Sequence, residues 1–202
     1  MITNYFSISE NVGASYKSKN SKFIAYAFPL PDLEFFKTQL DKIKLEHPKA
    51  THFCYAYRFG VDGTNFRSND DGEPSGSAGK PILGQIDSFN LTNVAIVVVR
   101  YYGGTNLGVP GLISAYKESA KLAIKNAQII QYDIFKYIEL KTEYADLSKI
   151  IKWIESVKGI VLEIKMDINC IVLAKIPIMM TNIEKSIPFG ININWQLKDE
   201  NY

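Results

Sequence analysis

The chain is poor in the residues that most often announce a chemistry. Of its 202 residues two are histidine, two cysteine, two tryptophan and four methionine. With no grouping of Cys and His at ligand spacing, the sequence argues against a zinc site. Cys54 and Cys170 are far apart and sit inside apolar, strand-like runs, HFCYAY and INCIVLA, so they read as buried thiols rather than as a disulfide. Long hydrophobic runs are lacking too. The longest strictly aliphatic stretch is Val94–Val99, against the ~20 apolar residues a membrane helix needs. Met1 is followed by ITNYFSISEN, with neither a basic start nor an apolar leader. These absences predict a cytoplasmic protein without a membrane segment. Charge of one sign is missing as well: 23 Lys and Arg against 21 Asp and Glu leave a net charge of +2. The part up to Gln131 is mildly basic, which permits nucleic acid without demanding it.

Two glycine-rich segments stand out against this background, DDGEPSGSAGKP (Asp70–Pro81) and VVVRYYGGTNLGVPGLISAY (Val97–Tyr116). Glycine this dense, mixed with Asp70, Asp71, Glu73, Lys80 and Arg100, describes backbone that approaches something closely.

The pattern around them reads as alternating strands and helices. Tyr5–Tyr16 and Phe23–Leu30 read as two strands flanking the basic stretch KSKNSK. Pro31 and Asp32 open a helix whose apolar residues Leu33, Phe36, Leu40 and Ile43 recur at helical spacing until Pro48. His52–Gly60 alternates as a strand ending in a turn at Asp62 and Gly63. A short helix over Ser77–Phe89, a buried strand over Val94–Arg100 and a long helix from about Pro110 to Ala127 follow, the last with Leu112, Ala115, Ser119, Leu122, Ala123 and Asn126 on one stripe. After Gln131 the texture changes. Strands over Tyr137–Lys141, Ile160–Asp167, Cys170–Pro177 and Ile191–Leu197, with a helix over Asp146–Val157 and a short helical stretch over Thr181–Ser186, give the order βαββαβ. The chain therefore reads as α+β in two domains, 1–131 and 132–202.

Several familiar sites fail on spacing. Pro74 stands where a Walker A glycine belongs, and Pro81 where Ser or Thr should bind magnesium. GGTNLGVPG lacks the dinucleotide fingerprint spacing, and no nucleophile elbow is present. A looser anion site survives at Gly103–Gly111, between a strand and a helix start, where unpaired N–H groups and the helix dipole favour negative charge and Arg100 adds its own. The alternative is that these glycines only allow tight packing. Lys80 and Arg58 fit such a site or a solvated surface equally well. Asp70, Asp71 and Glu73 fit magnesium binding or general acid–base work, or a turn and helix cap, which NDDGEP favours on composition. His52 fits a hydrogen-bonded strand position better than a general base. Tyr55, Tyr57, Tyr101 and Tyr102 alternate with Arg58, Arg67 and Arg100, as on surfaces that stack bases and neutralise phosphates. Tyr101 and Tyr102 point to opposite faces of a continuing strand, so only one of them can be exposed.

The run VVVRYYGGTNLG, preceded by DDGEPSGSAGKP and ATHFCYAYR (Ala50–Arg58), resembles the IMPACT family, including its bacterial YigZ-type members, over about residues 16–128. Arg100, Gly103, Gly104, Leu107 and Gly108 carry the signature. The resemblance implies an N-terminal domain of the ribosomal protein S5 domain 2-like type, a sheet with helices packed on one side. It also implies a C-terminal ferredoxin-like domain similar to one in elongation factor G. For function it implies a noncatalytic role in translation control, with RNA, the ribosome or a protein partner as the binding target. On this reading the binding set is His52, Arg58, Asp70, Asp71, Glu73, Gly79, Lys80, Arg100, Tyr101, Gly103, Gly104 and Gly108, with no catalytic residue, metal or cofactor assigned. The competing readings are a magnesium-dependent enzyme acting on a phosphorylated small molecule or nucleotide, with Asp71 and Glu73 on the metal, and a purely protein-binding regulator.

Overall fold

The computed structural model describes residues 2–180, 182–188 and 193–198. The chain forms two compact units, Asn4–Tyr132 and Asp133–Tyr202 together with Met1–Thr3.

In the first unit the elements run β1 (Asn4–Ile8), β2 (Val12–Ser18), β3 (Ser21–Pro29), α1 (Leu33–Glu46), β4 (His52–Phe59), β5 (Asn65–Asn69), α2 (Gly79–Ser88), β6 (Val94–Tyr101), α3 (Gly108–Asn126) and β7 (Ile129–Asp133). Five strands form one antiparallel sheet in the order β2-β3-β6-β4-β5, and β1 pairs with β7. The stretch predicted as one strand over Tyr5–Tyr16 is β1 and β2, in different sheets. The basic stretch after it is the tight turn between β2 and β3, with Lys19 in the left-handed region. β5 and β7 were not foreseen. Both are short and largely exposed, so neither shows the one-sided alternation that marks a half-buried strand.

The central strand β6 explains the layering. Every residue from Val94 to Arg100 is buried, so both faces of the sheet must be covered. On one face α2 and α3 cover Phe23, Ala25, Cys54, Ala56, Ile96 and Val98. On the other, α1 lays Phe36 and Ile43 against Phe28, Ala95, Val97 and Val99, with Phe36 packed on the rings of Tyr55 and Tyr57. Helices therefore lie on both sides of the sheet, not on the single side that the family resemblance implied. The cause is the uninterrupted apolar run of β6, where each fully buried Val or Ile is worth ~1.5–3 kcal/mol. The start of α1 is fixed by Asp32, whose carboxylate accepts the N–H of Phe35 at 2.7 Å.

The second unit runs β8 (Phe135–Thr142), α4 (Leu147–Ser156), β9 (Ile160–Met166), β10 (Cys170–Pro177), α5 (Ile183–Ser186) and β11 (Ile193–Lys198). Its strands form one antiparallel sheet in the order β11-β8-β10-β9. Ile150, Trp153 and Ile154 of α4 pack on Ile138, Leu140, Val172, Ala174 and Ile176. Thr181 and Ile191, the predicted starts of the last helical stretch and the last strand, lie outside the described residues. Each unit buries one unpaired cysteine, Cys54 in the first and Cys170 in the second. Among the described residues no helix is long and apolar enough to cross a membrane.

Candidate functional site

The first glycine-rich segment folds around its own carboxylate. Asp70 Oδ2 accepts the N–H of Gly76 at 2.8 Å, and Oδ1 accepts those of Ala78 and Gly79 at 3.0 and 2.8 Å. Burial pushes this carboxyl up, but the three backbone N–H groups and the Lys80 charge outweigh it and hold Asp70 below the usual carboxylate range. The N-terminus of α2 is thus filled from inside. Gly79 is required because a Cβ there would stand 2.6 Å from the backbone nitrogen of Asn69. Asp71, in the left-handed region, ties the segment to β4: its Oδ2 accepts the Phe53 N–H at 2.6 Å and its carbonyl bonds His52 Nδ1 at 2.7 Å. A carbonyl only accepts, so His52 carries its proton on Nδ1.

Glu73, two residues on, reaches into the sheet. Its Oε1 accepts from Arg100 Nη1 at 2.5 Å and from the Tyr116 hydroxyl at 2.8 Å, and lies 3.9 Å from His52 Nε2. Four elements or their connections meet at one carboxylate: the loop before α2, β4, β6 and α3. The register explains why, since His52 pairs directly with Arg100 across β4 and β6. Tyr116 in turn accepts from Cys54 Sγ at 3.2 Å. Burial, foremost, pushes both the Tyr116 hydroxyl and the Cys54 thiol far up, so both stay protonated. The Arg100 guanidinium is sandwiched by rings, 5.6 Å from the centre of Phe23 and 5.4 Å from that of Tyr102. Arg100 is 5% exposed, and its buried Nε has no hydrogen-bond partner among the described residues.

Above this network lies a cleft of about 460 Å³, lined by Thr51, His52, Glu73, Pro74, Arg100, Tyr102 and the start of α3 from Asn106 to Val109, with Leu112. The second glycine-rich segment forms its rim. The turn between β2 and β3 pins that segment: Lys19 Nζ donates to the Asn106 carbonyl at 3.1 Å, and Ser21 Oγ accepts the Gly103 N–H at 3.2 Å. Gly103 is required there because a Cβ would stand 2.0 Å from the backbone carbon of Asn20. The 19-residue helix α3 starts without a side-chain cap and without an acid in its first turn, so its first N–H groups are left for water or a ligand.

Of the binding set assigned from the sequence, His52, Glu73, Arg100 and Gly108 meet at this cleft. The others do not line it. Asp70, Asp71 and Gly79 build the loop behind it, and Lys80 is exposed on the first turn of α2. Gly103 and Gly104 shape the rim. Arg58 sits at the opposite end of β4, where Nε and Nη2 bond Asp87 at 2.9 and 2.6 Å and Nη1 bonds the Gly63 carbonyl. Tyr101 faces the α1 side, with its hydroxyl 2.8 Å from His47 Nδ1. Tyr102 takes the place at the cleft, 47% exposed, its hydroxyl donating to Asn106 at 3.1 Å. Tyr116 was not foreseen. The signal for it is its place between Ala115 and Ser119 on the buried stripe of α3, where a phenol needs a polar partner. Among the described residues no three of His, Cys, Asp and Glu are grouped to hold a metal ion. The carboxylates of Asp71 and Glu73 go to different partners, the Phe53 N–H and Arg100.

Residues 19–124 match the Impact N-terminal domain family. The chain is 33% identical over 150 residues to the IMPACT family member YvyE of Bacillus subtilis, covering 74% of this chain and 69% of the relative. It is 43% identical over 109 residues to an IMPACT family member of Haemophilus influenzae, covering 53% of each. It is 35% identical over 134 residues to YigZ of Escherichia coli, covering 65% of this chain and 66% of the relative. The matches thus span from about half to about two thirds of these relatives' own lengths. A crystal structure described as that of a hypothetical protein superposes on 99% of this chain and 100% of its own, with a TM-score of 0.70 at 24% identity, which extends the likeness in fold to both units. The matched domain contains the Glu73–Arg100 pair, His52, Tyr116 and the whole cleft rim, and the chain carrying it belongs to the IMPACT family, of the bacterial YigZ/YvyE type.

Proposed function

We propose that the protein is a noncatalytic accessory factor of translation, acting in the cytoplasm, that holds a phosphate-bearing strand of RNA, free or on the ribosome, at the cleft of its first unit. The observation that carries this reading is the open N-terminus of α3 beside a nearly buried Arg100 whose Nε has no partner among the described residues. A phosphate placed there meets backbone N–H groups, the helix dipole and the guanidinium edge. Tyr102 offers ring surface for a base beside it. Glu73 offsets part of the Arg100 charge through their 2.5 Å contact, so the N–H groups and dipole of α3 carry most of the attraction. The set of contacts is smaller than the sequence suggested, since Arg58 is committed to Asp87 and Tyr101 to His47.

The same reading takes the first unit as S5 domain 2-like and the second as ferredoxin-like. The antiparallel order β11-β8-β10-β9 supports the second assignment, being the arrangement in which each βαβ pair is split by another strand.

Fluorescence anisotropy with labelled single-stranded RNA tests the proposal, using Val109→Asp as the decisive variant. Val109 is 45% exposed in the first turn of α3, so an acid there suits the helix while occupying the anion position. Wild type should bind with an affinity falling by roughly 0.7 log unit per phosphate contact for each tenfold rise in salt, and the variant should lose that binding. RNA binding that Val109→Asp leaves intact would remove the cleft from the reading. No RNA binding at low salt would shift the role to a protein partner.

A further inference from the structure

The side-chain acceptors around the cleft are almost all taken. Thr51 Oγ1 accepts the Tyr102 N–H at 3.2 Å, and Asn106 Oδ1 accepts the Tyr102 hydroxyl at 3.1 Å. Glu73 Oε1 serves Arg100 and Tyr116, and its side chain is only 3% exposed. The exception is His52, whose side chain is 20% exposed. Its Nδ1 proton goes to the Asp71 carbonyl, so Nε2 presents a bare lone pair. Glu73 Oε1, 3.9 Å from Nε2, is an acceptor itself and cannot fill that lone pair. Among the described residues, the buried side-chain nitrogens and oxygens without a partner are Arg100 Nε, Thr142 Oγ1 and Trp153 Nε1. His52 Nε2 makes no hydrogen bond either and does not belong with these buried atoms, so it is open to the cleft.

The donors left free belong to the first turn of α3. A ligand that completes the cleft therefore brings an anion for α3 and a hydrogen-bond donor for His52. The register keeps the two needs close: His52 pairs with Arg100 across β4 and β6, and both line the same cleft as Gly108 and Val109. The backbone of DNA supplies only acceptors, its phosphate and sugar-ring oxygens. The backbone of RNA adds one donor per nucleotide, the 2′-hydroxyl, on the carbon adjoining the one that bears the 3′-phosphate.

We propose that His52 Nε2 accepts a hydrogen bond from the 2′-hydroxyl of the nucleotide whose phosphate lies on α3, which makes the cleft selective for ribose over deoxyribose. The inference rests on the phosphate reading above and adds the sugar to it. The hydroxyl keeps its proton, so no bond is made or broken. The Asp71 carbonyl fixes both the tautomer and the orientation of the ring, and in this way the first glycine-rich segment serves the cleft from behind.

Fluorescence anisotropy of wild type, His52→Asn and Val109→Asp tests this at about pH 8, with labelled ribo, deoxyribo and 2′-fluoro strands of one thymine-free sequence. The 2′-fluoro strand keeps the sugar pucker of RNA without its donor. Wild type should bind the ribo strand about three- to tenfold more tightly than either of the others. His52→Asn keeps an amide N–H for the Asp71 carbonyl but has no acceptor at the Nε2 position, and it should bind all three strands alike. The wild-type comparison of strands decides the matter whether or not that variant folds. Equal binding of the ribo and 2′-fluoro strands by wild type, or a ribose preference undiminished in folded His52→Asn, would overturn this inference alone so long as Val109→Asp loses all three strands. A wild type that binds none of them, or a Val109→Asp variant that still binds them, would overturn the phosphate reading and this inference with it.

Discussion

The two glycine-rich segments of the first unit each lead into a helix, and they treat that helix N-terminus in opposite ways. Before α2, the Asp70 carboxylate takes the N–H groups of Gly76, Ala78 and Gly79, and the site is closed. Before α3, no side chain caps the helix and the loop opens onto the cleft. Both have glycine for close backbone approach, at Gly79 and at Gly103. Glycine density alone therefore marks tight backbone, and the presence or absence of an internal anion decides whether the turn is finished structure or a site.

The largest expected effect comes from the contact that bridges the two segments, Glu73 to Arg100. Arg100→Met leaves Glu73 buried without its charge partner and should cost about 3–5 kcal/mol in urea unfolding. The double variant Glu73→Leu/Arg100→Met should recover most of that loss. If the single variant is as stable as wild type, the pair does not hold the segments together.

Asp70→Ala comes next, at about 2–3 kcal/mol, because three N–H groups lose their acceptor. The sign of the accompanying pH effect follows from the direction of the shift. The Asp70 carboxyl is held below its unfolded value, which is about 3.9. Its contribution is therefore full above that value and fades as pH falls through the lower folded one. Stability measured against pH should fall less steeply in acid for Asp70→Asn than for wild type, and an unchanged slope would contradict the closed-site description.

Gly103→Ala should cost about 1–3 kcal/mol, as the added carbon forces the loop off the β2–β3 turn. Thermal unfolding measures it, and a neutral result would mean that this loop is not set by Asn20. The smallest effect on stability is that of Val109→Asp, a gain of about 0.3–1 kcal/mol from an acid in the first turn of α3. Converting the open terminus to the closed kind in this way should stabilise the fold while removing anion binding, so the two readouts move in opposite directions.

Much of this was legible in the residues. The aliphatic run of β6, buried on both faces, the alternation of β4, the Asp32 start and Pro48 stop of α1 and the one-sided stripe on α3 each state one element. β5 and β7 escaped because a short exposed strand has no buried side to report. Gly103 and Asp70 were visible as chemistry, but their partners were not. Whether Asp70 points at its own backbone depends on a loop path that no periodicity encodes. The meeting of Glu73, His52 and Arg100 depends on the β4–β6 register, and Tyr116 joins only because α3 lies over that face. Alternation did bear on the tyrosines: next to an inward Arg100, Tyr101 turns to the α1 side and Tyr102 remains at the cleft.

The distribution of thiols has a practical side. Cys54 and Cys170 are both fully buried, and each belongs to a different unit. A thiol-alkylating reagent can reach either only when its own surroundings open. Mass spectrometry that follows labelling of the two peptides over time would time the opening of each unit separately in one tube of wild-type protein, with no probe introduced.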